Sequence, residues 1–373
     1  MNSPAKISFA SEPTGRIHYP ALDGLRGIAI LLVVFYHNFG FSNYFFFGWL
    51  GVDLFFVLSG FLITDILLKT KNSPGYLKNF YGRRVLRIFP LYYLSLFIFL
   101  IVLPRTDGFP IDLSYYINNQ WWFWAYLQNW FLIFFDAGNT TTMIQHYWSL
   151  AVEEQFYIIW PFVILLIRKP GRFLVFTSLL LLGVISARFI IWQMHVKEFN
   201  YFGLYTYTRI DGLCIGSMLA VLMKINSSFL RKYSSVVVFT LAGFNFLFYF
   251  FNRRHEFSFP YLAIIGYTTF AIVFALVVYE AVARENKIIN FILGIRLLRF
   301  FGKISYGLYV FHWPVYLILY KYADNWIHKN LAIADQYAQT STSIALTLTG
   351  IAVSIISFYG FEKHFLKMKK LFA

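Results

Sequence analysis

The sequence predicts an all-α integral membrane protein, a bundle of about ten transmembrane helices with both termini in the cytoplasm. Of its 373 residues, 59% are hydrophobic and only 13% are charged, and that charged fraction is about half the value of an average soluble protein. The mean hydropathy is +0.59, and apolar runs of about 20 residues, enough for a helix to cross a bilayer, recur along the chain. The basic residues are concentrated in the short segments between these runs.

The apolar runs set the boundaries of the predicted helices. In chain order these are 21–41, 45–68, 88–104, 147–167, 173–193, 207–223, 235–251, 260–283, 304–321 and 343–361. Segment 105–146 is rich in Trp and Tyr, which gather at membrane surfaces, so we interpret it as interfacial or re-entrant rather than spanning. Residues 1–18 are assigned to a cytoplasmic N-terminal segment, 19–362 to the transmembrane domain and 363–373 to a basic cytoplasmic tail.

The distribution of Lys and Arg predicts the orientation. The net charge of +15 would by itself also suit a nucleic-acid-binding protein. With the N-terminus inside, however, the inner segments hold about 23 basic residues and the outer segments about five, which is the positive-inside pattern. We therefore expect a lipid bilayer as the partner and no nucleic acid. The single cysteine, Cys214, predicts neither a disulfide framework nor a thiolate metal site.

Ionisable residues inside the predicted helices are the candidate site, because a charge in the bilayer is costly and usually functional. These residues are Arg26, His37, Asp53, Asp65, Glu153, Glu154, Arg209, Asp211 and His312. No metal is expected among them.

Arg26 and His37 lie on one face of the first predicted helix. Eleven residues leave them about 20° from an integral number of turns and about 16 Å apart along the axis. One interpretation is a general base, His37, deep in a cavity with a cation near its mouth. The alternative is a buried histidine bonded to a neighbouring helix, with Arg26 reaching to the interface.

Glu153 and Glu154 point about 100° apart and are expected to have different roles. One could hold His37 in its productive tautomer or accept a proton, and the other could pair with a cation such as Arg209. A purely structural ion pair is the alternative for either residue.

Arg84 and Arg87 are three residues apart on the predicted inner surface, a spacing that suits a phosphate. Ordinary anchoring by positive charge is the alternative. His312 is flanked by Tyr309 and Tyr316, and a packing role is equally open for it. Close helix packing is predicted for three small residues in GVDLFFVLSGF (51–61), namely Gly51, Ser59 and Gly60.

Six segments, in order along the chain, resemble the motifs of the membrane acyltransferase-3 family. They are YPALDGLRGIAILLVVFYHN (19–38), GVDLFFVLSGFLI (51–63), RRVLRIFPLYY (83–93), WSLAVEEQFYIIWP (148–161), RIDGLCIGSMLA (209–220) and GKISYGLYVFHWP (302–314). Each is weak alone, but the ordered set covers nearly the whole chain and is specific.

The resemblance implies a bacterial inner-membrane O-acyltransferase that uses cytoplasmic acyl-CoA, most commonly acetyl-CoA. The acceptor would be a hydroxyl of a carbohydrate, a glycolipid, a cell-surface polysaccharide or a small molecule. It implies catalytic roles for His37 and Glu153, and donor binding by Arg26, Arg84 and Arg87. Acceptor-side or supporting roles are expected for Asp23, Asp53, Glu154, Arg209, Asp211 and His312. Some relatives carry a C-terminal hydrolase-like domain, whereas this chain stops soon after the last helix, so a stand-alone transferase is expected.

Two questions stay open at the level of sequence. His37 could activate the acceptor hydroxyl for direct attack on the thioester, or it could carry the acyl group itself. A transporter or flippase of a lipid-linked saccharide would also bury ionisable groups. Such carriers often show inverted repeats, and we find none in this chain.

Overall fold

The computed structural model describes residues 19–40, 42, 44–106, 109–134, 142–194, 206–225, 227–252, 261–283, 286–331 and 335–372. Within these ranges the regular structure is helical and no β-strand occurs. The predicted all-α class is therefore confirmed.

The described residues form sixteen α-helices. They are α1 (Pro20–Asn38), α2 (Leu50–Thr70), α3 (Tyr76–Phe97), α4 (Ser114–Asn118), α5 (Trp121–Trp124), α6 (Gln128–Phe134), α7 (Trp148–Leu166), α8 (Pro170–Gln193), α9 (Thr206–Arg209), α10 (Asp211–Ile225), α11 (Ser227–Asn252), α12 (Tyr267–Ala283), α13 (Lys287–Gly294), α14 (Arg296–Asn330), α15 (Asp335–Ser357) and α16 (Lys363–Met368). Short π-helical turns continue α3 (Ile98–Val102), precede α12 (Leu262–Gly266) and follow α15 (Phe358–Glu362).

Seven helical segments in the described ranges are long and apolar enough to cross a membrane. They are Pro20–Asn38, Leu50–Thr70, Tyr76–Arg105, Gln145–Leu166, Pro170–Gln193, Ile264–Ala283 and Tyr337–Phe372. The chain is thus a multi-pass membrane protein. The other three predicted spans coincide with α9–α10, α11 and α14, which are not among these seven. A total of about ten spans and the inside position of the termini remain predictions.

Several helices extend beyond the apolar runs that predicted them. Helix α3 begins at Tyr76 rather than at residue 88, and α14 covers Arg296–Asn330 rather than 304–321. Hydropathy marks the part of a helix that lipid would surround, whereas backbone hydrogen bonding continues through basic turns. The eight-residue α13 was not predicted, because it is too short to produce a spanning run.

In the described part of the segment between α3 and α7, residues 109–134 form three short helices, none long enough to span, in agreement with the non-spanning prediction. Its aromatic residues, however, are not confined to a surface. Tyr116, Phe123 and Phe131 are at most 1% exposed and pack in a core with residues of α1, α3 and α14. Trp121, at 54% exposure, does fit the predicted interfacial position.

Small residues let the helices around α2 approach closely. A Cβ added at Gly60 would collide with the carbonyl oxygen of Leu213 in α10, and one at Gly216 would collide with that of Val57. A Cβ at Gly51 would likewise meet the carbonyl oxygen of Ala29 in α1. The predicted packing role of Gly51 and Gly60 is confirmed, and this packing sets the position of α2 beside the site.

Candidate active site

A central cavity of about 90 Å³ lies among α1, α2, α3, α7 and α14. It brings together five of the predicted site residues, Arg26, Arg84, Arg87, Glu153 and Glu154. The rest of its wall is formed by Val52, Phe55, Phe56, Ser59, Leu62, Ile88, Ser149, Leu150, Tyr157, Ser305, Tyr306 and Tyr309. Three arginines and two carboxylates, in a wall that otherwise combines apolar side chains with hydroxyl groups, suit an anionic ligand with a polar, flexible arm.

Glu153 is held in the cavity wall by two hydroxyl groups. Its Oε1 accepts a hydrogen bond from Ser59 Oγ at 2.8 Å, and its Oε2 accepts one from the Tyr157 hydroxyl at 3.0 Å. The hydrogen bonds described for Glu153 do not reach His37, so the structure does not support the idea that this carboxylate holds the histidine tautomer. Ser59, expected to serve helix packing, instead positions Glu153.

Glu154 is buried at 7% exposure, and its Oε1 has no hydrogen-bond partner among the described residues. It does not pair with Arg209, which binds Asp53 instead. The carboxylate lines both the central cavity and an adjoining aromatic side cavity. Both glutamates therefore face the same site despite their different directions on α7.

The three arginines approach the central cavity from two helices. On α3, the guanidinium carbon of Arg84 lies 5.2 Å from the centre of the Tyr157 ring, a distance that allows a cation–π contact. On α1, Arg26 donates from Nη1 to Asp23 Oδ1 at 3.1 Å. Arg87 lies one turn beyond Arg84, so the predicted arginine pair does face the same cavity.

A wider basic cavity of about 690 Å³ adjoins the central one. The two share Arg26, Arg87, Ser305 and Tyr306 as lining residues. Four further cations line only the basic cavity, namely Arg296, Arg299, Lys303 and Lys369, together with Asp23 and Glu362. The two cavities thus form neighbouring compartments with Arg26 and Arg87 at their junction.

Sequence reasoning missed the basic cavity because its cations were counted only for orientation. Arg296, Arg299 and Lys303 follow an i, i+3, i+7 spacing, which places them on one face of α14. That spacing could have identified them. Glu362, also missed, is 7% exposed and accepts a hydrogen bond from Ser357 Oγ at 3.1 Å.

Three histidines form a cluster beyond the central cavity. The ring centres of His37 and His312 are 5.0 Å apart, those of His146 and His312 are 5.1 Å apart, and those of His37 and His146 are 6.2 Å apart. Among the described residues, no group of three or more His, Cys, Asp or Glu side chains could hold a metal ion. His146 was missed because it ends the segment interpreted as interfacial.

The ring nitrogens of the histidine cluster contact backbone carbonyl oxygens and, in one case, another histidine nitrogen. His37 Nδ1 lies 2.9 Å from the Val33 carbonyl oxygen and 3.3 Å from His312 Nε2. The carbonyl oxygen of Tyr309 lies 2.9 Å from His312 Nδ1 and 3.0 Å from His146 Nε2. His37 and His312, separated by 275 positions in the chain, therefore meet directly.

Tyr309 lies between the central cavity and the histidines. Its side chain and that of Ser149 line the cavity, whereas His37 does not belong to the residues that line it. The ring centre of Tyr309 is 5.4 Å from that of His146 and 6.0 Å from that of His312. Arg26 and His37, predicted to share one face of the first helix, therefore have different surroundings. Arg26 lines the central cavity, whereas His37 lies on the other side of Tyr309.

Three further predicted residues, Asp53, Arg209 and Asp211, form buried ion pairs. Arg209 donates from Nη2 to Asp53 Oδ1 at 2.8 Å, and Arg188 donates from Nη2 to Asp211 Oδ2 at 2.8 Å. Arg209 also lies 3.8 Å from the centre of the Tyr267 ring. None of these five residues lines the central or the basic cavity. Their contacts join α2, α8, α9, α10 and α12. This agrees with the supporting role expected for Asp53, Arg209 and Asp211.

Comparison with known proteins bears on this site. Residues 19–360 match the family model described as Acyltransferase domain, which confirms the resemblance inferred from the motifs. OatA of Listeria monocytogenes serovar 1/2a (strain ATCC BAA-679 / EGD-e), a peptidoglycan O-acetyltransferase, is 30% identical over 321 residues, covering 80% of this chain and 50% of its own length. YrhL of Bacillus subtilis (strain 168), named as a candidate peptidoglycan O-acetyltransferase, is 32% identical over 324 residues, covering 81% and 49%.

This chain spans about half the length of the curated relatives it matches. No solved structure matches it significantly.

Proposed function

Because the chain belongs to the acyltransferase family, we propose that it is a membrane O-acetyltransferase of the bacterial inner membrane. It would transfer an acetyl group from cytoplasmic acetyl-CoA to a hydroxyl of a carbohydrate, a glycolipid or a cell-surface polysaccharide. The observation that carries the proposal is the pair of adjoining cavities, one basic and wide, the other narrower and bounded by Tyr309. The relatives named for peptidoglycan O-acetylation favour a polysaccharide among these acceptors.

The basic cavity suits the nucleotide end of the donor. Coenzyme A carries a pyrophosphate and a ribose phosphate. One guanidinium group can donate two parallel hydrogen bonds to two oxygens of a phosphate. Arg296 and Arg299 would bind the outer phosphate, and Arg26 and Arg87 would bind the pyrophosphate at the junction between the cavities. On the predicted orientation this end of the bundle faces the cytoplasm, where acetyl-CoA is made.

The central cavity suits the pantetheine arm, which is uncharged, flexible and contains two amides. The Glu153 carboxylate, held by Ser59 and Tyr157, can accept a hydrogen bond from one amide N–H. Arg84 lines the same cavity, and its positive charge would offset that of the carboxylate. An arm placed in this way would bring the thioester to Tyr309, next to the histidine cluster.

The chemical step would use His37 as a general base. Its ring nitrogen takes the proton of the acceptor hydroxyl as the hydroxyl oxygen attacks the thioester carbonyl carbon. The carbon–sulfur bond then breaks, and the thiolate of CoA takes the proton back from His37. In the alternative route His37 itself carries the acetyl group between donor and acceptor. Both routes require the thioester to pass Tyr309.

The test is acetyl transfer by purified protein in liposomes, with radiolabelled acetyl-CoA and a muropeptide acceptor. Loss of a general base typically costs a factor of about 10² to 10⁴, so His37→Ala is expected to abolish acceptor-dependent CoA release while the protein stays in the membrane. His328→Ala, on the exposed part of α14, is the matched control. Full activity of His37→Ala would contradict the mechanism, and acceptor movement without CoA release would favour a transporter.

A further inference from the structure

We propose that His312 is a positioning residue for His37, fixing the tautomer in which Nε2 of His37 is the basic atom. The proposal rests on the proposed role of His37 as the general base. His312 would also support the positive charge that His37 acquires when it takes the acceptor proton.

The tautomer of His312 is set by two carbonyl groups. Its Nδ1 lies 3.0 Å from the carbonyl oxygen of Leu308 and 2.9 Å from that of Tyr309. A carbonyl oxygen can only accept a hydrogen bond, so this nitrogen must carry the hydrogen. A neutral imidazole has one N–H, and His312 Nε2 therefore presents a lone pair.

That lone pair faces His37. Nδ1 of His37 lies 3.3 Å from His312 Nε2 and 2.9 Å from the carbonyl oxygen of Val33. Both neighbours are acceptors, so His37 carries its hydrogen on Nδ1 and shares it between them. Its Nε2 is consequently unprotonated, and this is the atom that would receive the acceptor proton.

His312 is suited to hold the ring of His37 during proton transfer. It is 1% exposed, and the aromatic and ionisable rings beside it belong to His37, His146 and Tyr309. When His37 is protonated, its Nδ1–H becomes a stronger donor, and two acceptors are already in place. An orienting partner on the second ring nitrogen is the usual way to fix a reactive histidine.

His146 provides a matched comparison within the same cluster. It is also buried, and its Nε2 donates to the Tyr309 carbonyl oxygen at 3.0 Å. It is farther from His37, with ring centres 6.2 Å apart, against 5.0 Å for His312. Removing His146 would disturb packing without removing the acceptor that faces His37 Nδ1.

The experiment is solid-state ¹⁵N NMR of histidine-labelled protein in bilayers, combined with kinetics. The signals of His37 are identified by their loss in His37→Gln. We expect a protonated Nδ1 and an unprotonated Nε2 in the wild type at neutral pH. His312→Phe should shift the Nδ1 signal and lower kcat about 10- to 100-fold, the usual effect of losing an orienting partner, with KM for acetyl-CoA unchanged.

His312→Gln, whose amide oxygen can accept from His37 Nδ1, should recover part of that loss, and His146→Phe should leave the His37 signals in place. A wild-type His37 protonated on Nε2 would overturn the proposal, even if the His312 variants failed to fold. Equal impairment of His312→Phe and His312→Gln, with unchanged His37 signals, would also overturn it. The NMR results do not depend on turnover, so failure of the His312 proposal can be told apart from failure of the proposed function. The proposed function would fail if His37→Ala kept its activity.

Discussion

The hydroxyl of Tyr309 lies 2.5 Å from Ser149 Oγ and donates to the carbonyl oxygen of His146 at 2.8 Å. These contacts join α14 to α7 and to the turn that precedes it. Tyr309 also lines the central cavity, and its ring lies beside those of His146 and His312. A thioester bound in the cavity, as proposed, would therefore meet Tyr309 before it reached the histidine cluster.

Tyr309→Phe is expected to ease passage through this barrier. The change removes two hydrogen bonds, each with a net contribution of about 1 kcal/mol, and about 2 kcal/mol corresponds to a roughly 30-fold change in an equilibrium constant. We predict a rise of up to about 30-fold in acetyl-CoA hydrolysis when no acceptor is present, measured as free thiol release.

Tyr316→Phe is the control for this prediction. Tyr316 lies on the same helix and contacts Ser343 Oγ at 3.0 Å, but it does not line the central cavity. Equal hydrolysis by the wild type and Tyr309→Phe would show that the hydroxyl contacts do not limit passage.

Arg84→Ala combined with Arg87→Ala is expected to weaken donor binding. Hydrogen bonds to charged groups contribute about 1.5–3 kcal/mol each, so KM for acetyl-CoA should rise by at least about tenfold. The change in kcat should be smaller, because neither arginine contacts the histidine cluster. Arg105→Ala, at the exposed end of the segment that continues α3, should leave KM unchanged. An unchanged KM in the double variant would exclude pyrophosphate binding by Arg87 and a role of Arg84 in the donor site.

Asp53→Leu is expected to destabilise the protein strongly. It leaves Arg209 buried at 3% exposure without its partner, and such a change typically costs about 3–5 kcal/mol. Replacing both residues, as Asp53→Leu with Arg209→Met, should restore much of the loss, because the uncompensated charge is gone. The free energies are compared by thermal unfolding in detergent. If the double variant were as unstable as Asp53→Leu, Arg209 would contribute to stability through contacts other than its pair with Asp53.

Gly60→Ala is expected to separate α2 from α10. The added methyl group would meet the backbone of Leu213, and overpacking of this kind costs about 1–3 kcal/mol. Gly183→Ala provides the control, because a Cβ there meets nothing within 4 Å. The melting temperature should fall in the first variant and stay the same or rise in the second. A similar effect in both would point to helix propensity rather than to packing.

Two kinds of signal identified the parts of the site that were predicted from sequence. Arg26 and Glu153 are costly groups in apolar segments, and their cost in a membrane made them stand out individually, whereas Arg84 and Arg87 were identified by their spacing of three residues on the predicted inner surface. The partners of these groups carried no such signal. Ser59, for example, looked like a packing residue, and only the contact between α2 and α7 shows that it holds Glu153.

The sequence by itself determined the class of the protein. Low charge, long apolar runs and the bias of Lys and Arg follow from local composition, and the ordered motifs identify the family without coordinates. Only the tertiary structure decided which distant residues meet. His37 and His312 are 275 positions apart, and Tyr309 stands between them and the arginines. Such contacts depend on how helices pack against each other, and helix packing is set by the shape of whole faces rather than by any local pattern.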